Sequence, residues 1–491
     1  MATPRKIFLF GLCVFAIILV VSAVFPAEIK VGSYTFHYPD YRTWLKSDSA
    51  VAYKDIQDII ASVDTADYLF EPVIFINDSS AINSKIMTDS MKRASVNEVN
   101  TDAYPFEFPQ GQDTLLFSLF RAIEKLHQRD KPLRILHYGD SQIEGDRITA
   151  TIRNYMQKNY GGQGIGFLPI VPVADVAITF QQDVSPNWKR FSALDGNSRT
   201  LVINNRFGIA GNLARYNPNH QDDSIAHIGL LPYYAGFRNV QTFTHARLFY
   251  GQAENPFTVI INKVDTQRMI ARNTVSSAWW QFDAPQNSLD LLLVSSDLPD
   301  LYGIALDGAR GVAVDNLPLR GSSGLDFSRM DTAQIRLMFN MMDVEMLILQ
   351  FGANAVTTFG YNYNYYAGRL TQELQMLKTL KPGLIILVAG VNDMSQNTPD
   401  GYISYPNVTN IRDAQKKAAF EAGCVFWDLY EAMGGENSMP GWVFANPPLA
   451  QKDFIHFSIG GAKIVGELFC RAWTMEYQKF KTAKPFSEGS D

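Results

Sequence analysis

The chain has 491 residues, 46% of them hydrophobic, enough to bury a large core spread over two or three domains and too apolar for a disordered or fibrous chain. A formal net charge of −6, from 43 Lys and Arg against 49 Asp and Glu, with no long basic stripe, excludes the electrostatic footprint of a nucleic-acid binder. Three cysteines exclude a disulfide framework, although one bridge between Cys424 and Cys470 is possible.

At the N-terminus, Arg5 and Lys6 precede an uncharged run from Ile7 to Phe25, close to the roughly 20 residues that span a bilayer as a helix. Residues 1–28 therefore read as an export signal that either anchors the chain in the membrane or is cut. The run is longer than the ~7–15 apolar residues of a cleaved signal. The positive-inside rule keeps Arg5 and Lys6 cytoplasmic and puts the rest in the periplasm or cell envelope. Cys13 lies inside the run with no mature-looking start after it, which argues against a lipid-anchored cysteine. Residues 29–112 mix an aromatic stretch, "YTFHYPDYRTWL", with a polar, weakly periodic one, and read as a stalk or lid.

From 113 the pattern changes. Leu115, Leu116, Leu119, Phe120 and Ile123 recur at helical spacing after a capping Asp113, and the strand "LRILHY" follows. After a gap, the apolar runs 311–317, 345–351, 384–390 and 424–429 alternate with helical patterns near 329–341, 364–380, 408–422 and 460–478. Short, nearly all-apolar strands separated by helices predict a parallel sheet covered on both faces. Five strands predict a flavodoxin-like three-layer α/β/α sandwich over 113–175 and 303–480, with its site at the carboxyl ends of the strands and a tail at 481–491. Residues 176–302 are different: short alternating runs with turn residues between them predict an all-β sandwich inserted into the α/β domain.

Three corners of this layout carry chemistry. Ser141 stands where the strand ending "HYGDS" turns toward a helix, which exposes a hydroxyl beside the first free N–H groups of that helix; the competing reading is a plain helix cap. Downstream, "DFIH" sets Asp453 three residues before His456, an offset that lets the carboxylate hold Nδ1 and leave Nε2 facing the serine; otherwise His456 is a loop histidine bonded to water. Asn354, after the strand "EMLILQF", and Gly321, after "VDNLPLR", bring an amide side chain and an unobstructed N–H to the same sheet edge. With the Ser141 N–H they form a candidate oxyanion hole, where one donor typically contributes about 3 kcal/mol. No H-E-x-x-H or C-x-x-C is present among the seven histidines and three cysteines, so a zinc hydrolase lacks its motif ligands. Gly161, Gly162, Gly164 and Gly166 follow a helix rather than a strand and read as a turn, not a phosphate loop.

"GDSQ" with Ser141, the strand-end Gly321, "GAN" with Asn354 and "DFIH" with Asp453 and His456 resemble, in the usual order, the four blocks of the SGNH (GDSL-like) hydrolases, over roughly 115–175 and 303–478. The resemblance implies an esterase with a Ser-His-Asp triad and no metal or organic cofactor. Two positions depart from it: the residue after Asn354 is Ala355 rather than Asp, and the motif usually ending in Leu ends in Gln142. A second stretch, Gly390-Val391-Asn392-Asp393, matches the third block more literally, but Asn354 is preferred because its strand directly follows that of Gly321. Asp428 is the weaker rival to Asp453.

An exported SGNH enzyme with a β-sandwich between its serine and oxyanion blocks is similar to bacterial peptidoglycan O-acetylesterases, whose insert resembles a carbohydrate-binding module. This implies an acetylated polysaccharide or peptidoglycan as substrate and the membrane as a partner through the N-terminal segment. Trp279 and Trp280, then Trp188, Tyr233 and Tyr234, are the candidate sugar-stacking faces, each more often a core aromatic when taken singly. An O-acetyltransferase using the same site, a lipid or aryl esterase and a non-catalytic glycan-binding envelope protein are the other expectations.

Overall fold

In the computed structural model, the apolar runs of the α/β segments form parallel strands of one sheet: β1 Leu133–Gly139, β2 Val312–Pro318, β3 Val344–Gln350, β4 Ile385–Ala389 and β5 Val425–Trp427, in the spatial order 2-1-3-4-5. The structure describes residues 53–63, 104–216, 225–232, 237–253, 255–270, 273–294, 299–356, 362–399 and 401–483, with the strands Glu28–Val31 and Tyr34–His37 and the positions Phe10, Val14 and Val20. The sheet has a sixth member beyond the five expected. Phe106–Glu107 lies antiparallel along β5, a two-residue edge too short to leave a periodic signal.

Strands β1, β2 and β3 are almost wholly buried, because helices cover both faces, and this is why their sequences run apolar without alternation. Helix α1, Thr149–Tyr160, packs on β2 and on the long helix α5, Ile459–Thr482. Across the sheet, Leu136, Leu347, Leu349 and Ile386 share a core with Ile335 and Met338 of α2 (Thr332–Met342), Leu370 and Leu374 of α3 (Asn364–Lys378), and Ile411 and Ala418 of α4 (Val408–Glu421).

The register of the central strands places the site. Pro318 of β2 and Gln350 of β3 both pair with Gly139 of β1, so three strands end side by side. The segments carrying Gly321, Ser141 and Asn354 leave the sheet at one edge. Two backbone bonds hold the exits together, Leu319 N–H to the Gly139 carbonyl at 2.7 Å and Asp140 N–H to the Gln350 carbonyl at 3.3 Å.

The intervening segment forms two antiparallel sheets. One runs Ser276–Gln286, Phe243–Tyr250, Leu301–Asp307, Asn212–Tyr216, Trp188–Ser192; the other runs Asp265–Met269, Phe257–Ile261, Leu289–Val294, Ile225–Pro232, Phe180–Val184. Strict alternation of buried and part-exposed residues in Phe257–Ile261 and Leu289–Val294 buries Val259, Leu291 and Leu293 against Leu248, Ile304 and Leu306 of the facing sheet. The boundaries differ from the expected 176–302. Strand Leu301–Asp307 belongs to this sandwich, and Gly166–Leu168 pairs with it. Both faces of Leu301–Asp307 are buried, so its sequence reads like a strand of the parallel sheet.

By its internal contacts the chain divides into one unit of residues 1–53 and 396–403 and a second of 54–395 and 404–491. In the first, Glu28–Val31 and Tyr34–His37 form an antiparallel hairpin. Part of the expected stalk belongs to the second unit instead: Ile56 and Val63 flank the short helix Gln57–Ser62 and are buried, and Phe106 is buried on the edge strand. Most of the apolar segment Ile7–Phe25, residues 64–103 and the tail from 484 lie outside the described residues. Among the described residues no helix is long and apolar enough to cross a membrane. Cys424 and Cys470 are buried free thiols and form no bridge.

Candidate active site

The chain leaves β1 through Gly139 and Asp140 into a 3₁₀ segment, Ser141–Asp146, that is broken by the non-helical backbone of Glu144 and Gly145, rather than directly into a helix. Asp140 caps this segment, its Oδ1 accepting the Gln142 N–H at 3.0 Å, so the cap is the aspartate and the hydroxyl of Ser141 is left for other partners. Ser141 Oγ lies 2.8 Å from Nε2 of His456. His456 Nδ1 lies 2.7 Å from Asp453 Oδ2, and Asp453 Oδ1 accepts the N–H groups of Ile455 and His456, each at 3.0 Å. The i,i+3 spacing therefore closes a turn in which one carboxylate oxygen serves the backbone and the other the ring. Partial burial pushes the Asp453 carboxyl up, but these hydrogen bonds outweigh it and hold the group below its ordinary value, so it is ionised at neutral pH.

Asn354 follows β3 through Gly352, whose φ of +131° is open to glycine and where a Cβ would come within 2.8 Å of Val391. Its Nδ2 reaches the Ser322 carbonyl at 3.1 Å and Asp140 Oδ2 at 3.4 Å, so the amide bridges the Gly321 turn and the Ser141 corner. Gly321 has φ +83° with open space where a Cβ would stand; the backbone conformation, not crowding, selects glycine there. Burial raises the Asp140 carboxyl to about 6, against the N–H donated by Gln142 and the charge of His456.

Residues that motif reading left outside the site complete its frame. Gln142 donates from Nε2 to the Ile455 carbonyl at 2.7 Å and to Asn392 Oδ1 at 3.1 Å. Arg147 donates to the carbonyls of Ser141, Glu144 and Phe457, joining the serine segment to the histidine loop. Asn392, in the literal match to the third block, bonds the histidine loop, while Asn354 stands by Ser322 and Asp140. Asp428 is buried away from the imidazole, where it accepts the Glu431 N–H at 3.1 Å and faces Arg412 at 3.6 Å.

The aromatic candidates separate. Trp280 and Trp188 are buried in the sandwich. Trp279 is half exposed and lines a small cavity with Lys131, Arg134 and Arg247, at the start of β1 and so at the end opposite Ser141. Adjacent strand residues point to opposite faces, the signal that keeps Trp279 and Trp280 from serving one ligand. Tyr233 and Tyr234 lie outside the described residues. A different cleft, of about 310 Å³, adjoins the Gly321 turn: Pro318, Leu319 and Arg320 form one wall, and Arg190, Ser192 and Asn212 of the β-sandwich the other.

No family model matches the sequence, and comparison with curated proteins finds no match. The fold is shared with a solved structure of a peptidoglycan O-acetylesterase, at 19% identity and a TM-score of 0.59, over 76% of this chain and 99% of that one. More distant are the salicylyl-acyltransferase SsfX3 from a tetracycline biosynthetic pathway (12% identity, 62% of this chain and 96% of that one, TM-score 0.28) and a carbohydrate esterase of family 3 from Talaromyces cellulolyticus (15%, 34% and 72%, TM-score 0.25). At this identity the likeness to the peptidoglycan O-acetylesterase structure is one of fold.

Proposed function

We propose that this chain is an extracytoplasmic serine esterase that removes O-acetyl groups from a carbohydrate, with peptidoglycan as the foremost substrate. The observation that carries the reading is the continuous relay from Ser141 Oγ to His456 Nε2 and from His456 Nδ1 to Asp453, at 2.8 and 2.7 Å. Nucleophile, base and orienter are each within hydrogen-bond reach of the next.

In this mechanism His456 Nε2 takes the Ser141 proton as Oγ attacks the acetyl carbonyl. Asp453 keeps the Nδ1 proton directed at itself and stabilises the imidazolium that forms. The N–H groups of Ser141 and Gly321 receive the oxyanion, joined by the Nδ2 of Asn354 as its long 3.4 Å contact with Asp140 Oδ2 is given up. The C–O bond to the sugar breaks, the sugar oxygen takes the proton from His456, and the acetyl group stays on Ser141. His456 then deprotonates water, which attacks the acetyl-serine; acetate leaves and Oγ recovers its proton.

Two features support hydrolysis of a sugar ester over the other expectations. The side chains of His456 and Asp453 are 27% and 41% exposed, open to the water that deacylation consumes and that a transferase must exclude. In the cleft beside Gly321, Arg190, Ser192, Asn212 and Arg320 offer hydrogen-bond partners to the hydroxyls of a sugar, next to the apolar Val173, Leu194, Pro318 and Leu319.

The test is acetate release from O-acetylated peptidoglycan fragments, O-acetylated xylan and p-nitrophenyl esters of increasing chain length. The wild-type protein is expected to favour acetyl esters on peptidoglycan, and Ser141→Ala and His456→Ala each to abolish release. Full activity of purified Ser141→Ala protein overturns the assignment. A preference for long-chain esters redirects it to a lipid esterase.

A further inference from the structure

We propose that Gln142 and Asn392 are positioning residues that together clamp the His456 loop onto the Ser141 corner; the inference rests on the esterase reading of that site. Residues 451–456 belong to no helix or strand, and α5 begins only at Ile459. A base on such a loop does not stand within 3 Å of its nucleophile through secondary structure alone. Asp453 ties the loop to itself, through the N–H groups of Ile455 and His456, and this does not tie it to Ser141.

Gln142 supplies that link from the position next to the nucleophile. Its Nε2 donates to the Ile455 carbonyl at 2.7 Å, and its Oε1 accepts the Phe457 N–H at 3.3 Å, so one side chain grips the peptide groups on both sides of His456. Its remaining N–H goes to Asn392 Oδ1 at 3.1 Å. Asn392 then donates from Nδ2 to the same Ile455 carbonyl at 3.1 Å and to the Asp393 carbonyl at 2.8 Å. Gln142 and Asn392 are only 2% and 3% exposed, so water does not replace bonds that are lost.

This arrangement accounts for two features of the sequence at once. A leucine after Ser141 fills comparable space but offers no donor to Ile455, whereas glutamine does. The Gly-Val-Asn-Asp stretch at the end of β4 holds the base in place, a different task from that of Asn354. Three segments far apart in the chain, at 142, 392 and 455, meet through two amide side chains, which share with Arg147, a donor to the Ser141 and Phe457 carbonyls, the task of setting the Oγ to Nε2 separation.

The experiment compares wild type with Gln142→Met, which has similar length and no donor, with Asn392→Ala, and with the double variant, using p-nitrophenyl acetate and a fluorophosphonate that labels Ser141. Each single variant is expected to lose about 10–100-fold in kcat, with KM changed by less than about twofold, because the base is displaced and the ester site is not. Labelling of Ser141 slows in parallel. The double variant loses little more than the worse single one, as two parts of one device do. Folded Gln142→Met and Asn392→Ala proteins with wild-type kcat and labelling overturn the clamp, as does a loss confined to KM. Should Gln142→Met fail to fold, Asn392→Ala, which removes only one of the two donors to Ile455, decides by the same readouts. A wild-type protein that neither releases acetate nor is labelled at Ser141 overturns the esterase reading, and this inference with it.

Discussion

Arg320 and Glu144 face each other in a two-pronged pair, Nε to Oε1 and Nη2 to Oε2, with the arginine side chain 64% exposed and the glutamate only 7%. Arg320 precedes Gly321 and Glu144 lies three residues after Ser141, so the pair fastens two proposed oxyanion donors to each other. Arg320→Ala leaves a buried carboxylate without its partner, and a charge-assisted hydrogen bond is worth about 1.5–3 kcal/mol. We expect a loss of stability of that order, read by denaturant unfolding, together with a fall in kcat of about tenfold as the Gly321 N–H drifts. Arg320→Lys, which cannot make two parallel bonds, should recover only part of either. Unchanged kcat in folded Arg320→Ala protein would show that the pair does not hold the oxyanion donors.

In the proposed mechanism Asp453 reaches Ser141 through the ring of His456, and replacing it tests the direction of the relay. Asp453→Asn keeps an oxygen for the backbone N–H groups but can present an N–H to Nδ1, which favours the tautomer with its proton on Nε2, facing Ser141. By analogy with other triads kcat should fall by roughly 10³–10⁴-fold, with KM for a small ester little altered. Steady-state kinetics on p-nitrophenyl acetate measure it. A loss under about tenfold would mean that the orienter is another group.

Much of this was legible in the chain because the physics is local. Strands β1 to β3 are buried on both faces and must be apolar throughout, and Asp453 and His456 sit within one turn of each other, so their pairing follows from spacing. Other features depend on contacts across 63 to 313 residues. Gln142 and Asn392 carry no pattern that marks them as partners of Ile455; the first reads as a departure from its motif and the second as a competing match to another until the loop is seen between them. The strand Leu301–Asp307 shows the opposite failure. Burial on both sides gives a sandwich strand the composition of a parallel one, and the domain boundary is displaced accordingly. Trp279 and Trp280 were readable as a pair only by ignoring the two-residue period of a strand.

A buried ionic cluster joins the β-sandwich to the parallel sheet. Arg134 of β1 donates from Nη1 to both oxygens of Asp315 on β2, at 2.6 and 2.9 Å, and from Nη2 to Asp307 on the sandwich strand at 2.5 Å. Arg134→Met removes the cation and leaves two carboxylates together in the interior, a change that typically costs 3–5 kcal/mol. The thermal midpoint should fall by several degrees. Adding Asp307→Asn and Asp315→Asn should return part of the loss, since no unpaired charge then remains buried. If the single and triple variants melt alike, repulsion between the two carboxylates is not the source of the cost.

The Asp140 carboxyl gives the pH dependence of the fold a definite sign. Burial raises it to about 6 from an ordinary 3.8, and burial does the same to Asp393 and Asp428, each to about 6. Between about pH 4 and pH 6 the unfolded chain has released these protons while the folded chain retains them. Stability from these groups is therefore fully present below about pH 4, is lost as pH rises toward 6, and stays lost above it. For Asp140 the shift corresponds to about 3 kcal/mol. Asp140→Asn cannot ionise, so it should lack this share of the decline: relative to wild type, its stability should improve steadily as the buffer is taken from pH 4 to pH 6.5, whatever fixed offset the new amide brings at the Asn354 contact. Thermal melts of the two proteins at half-unit steps read the difference directly. A constant gap across the window would mean that Asp140 ionises in the folded protein as it does in the open chain.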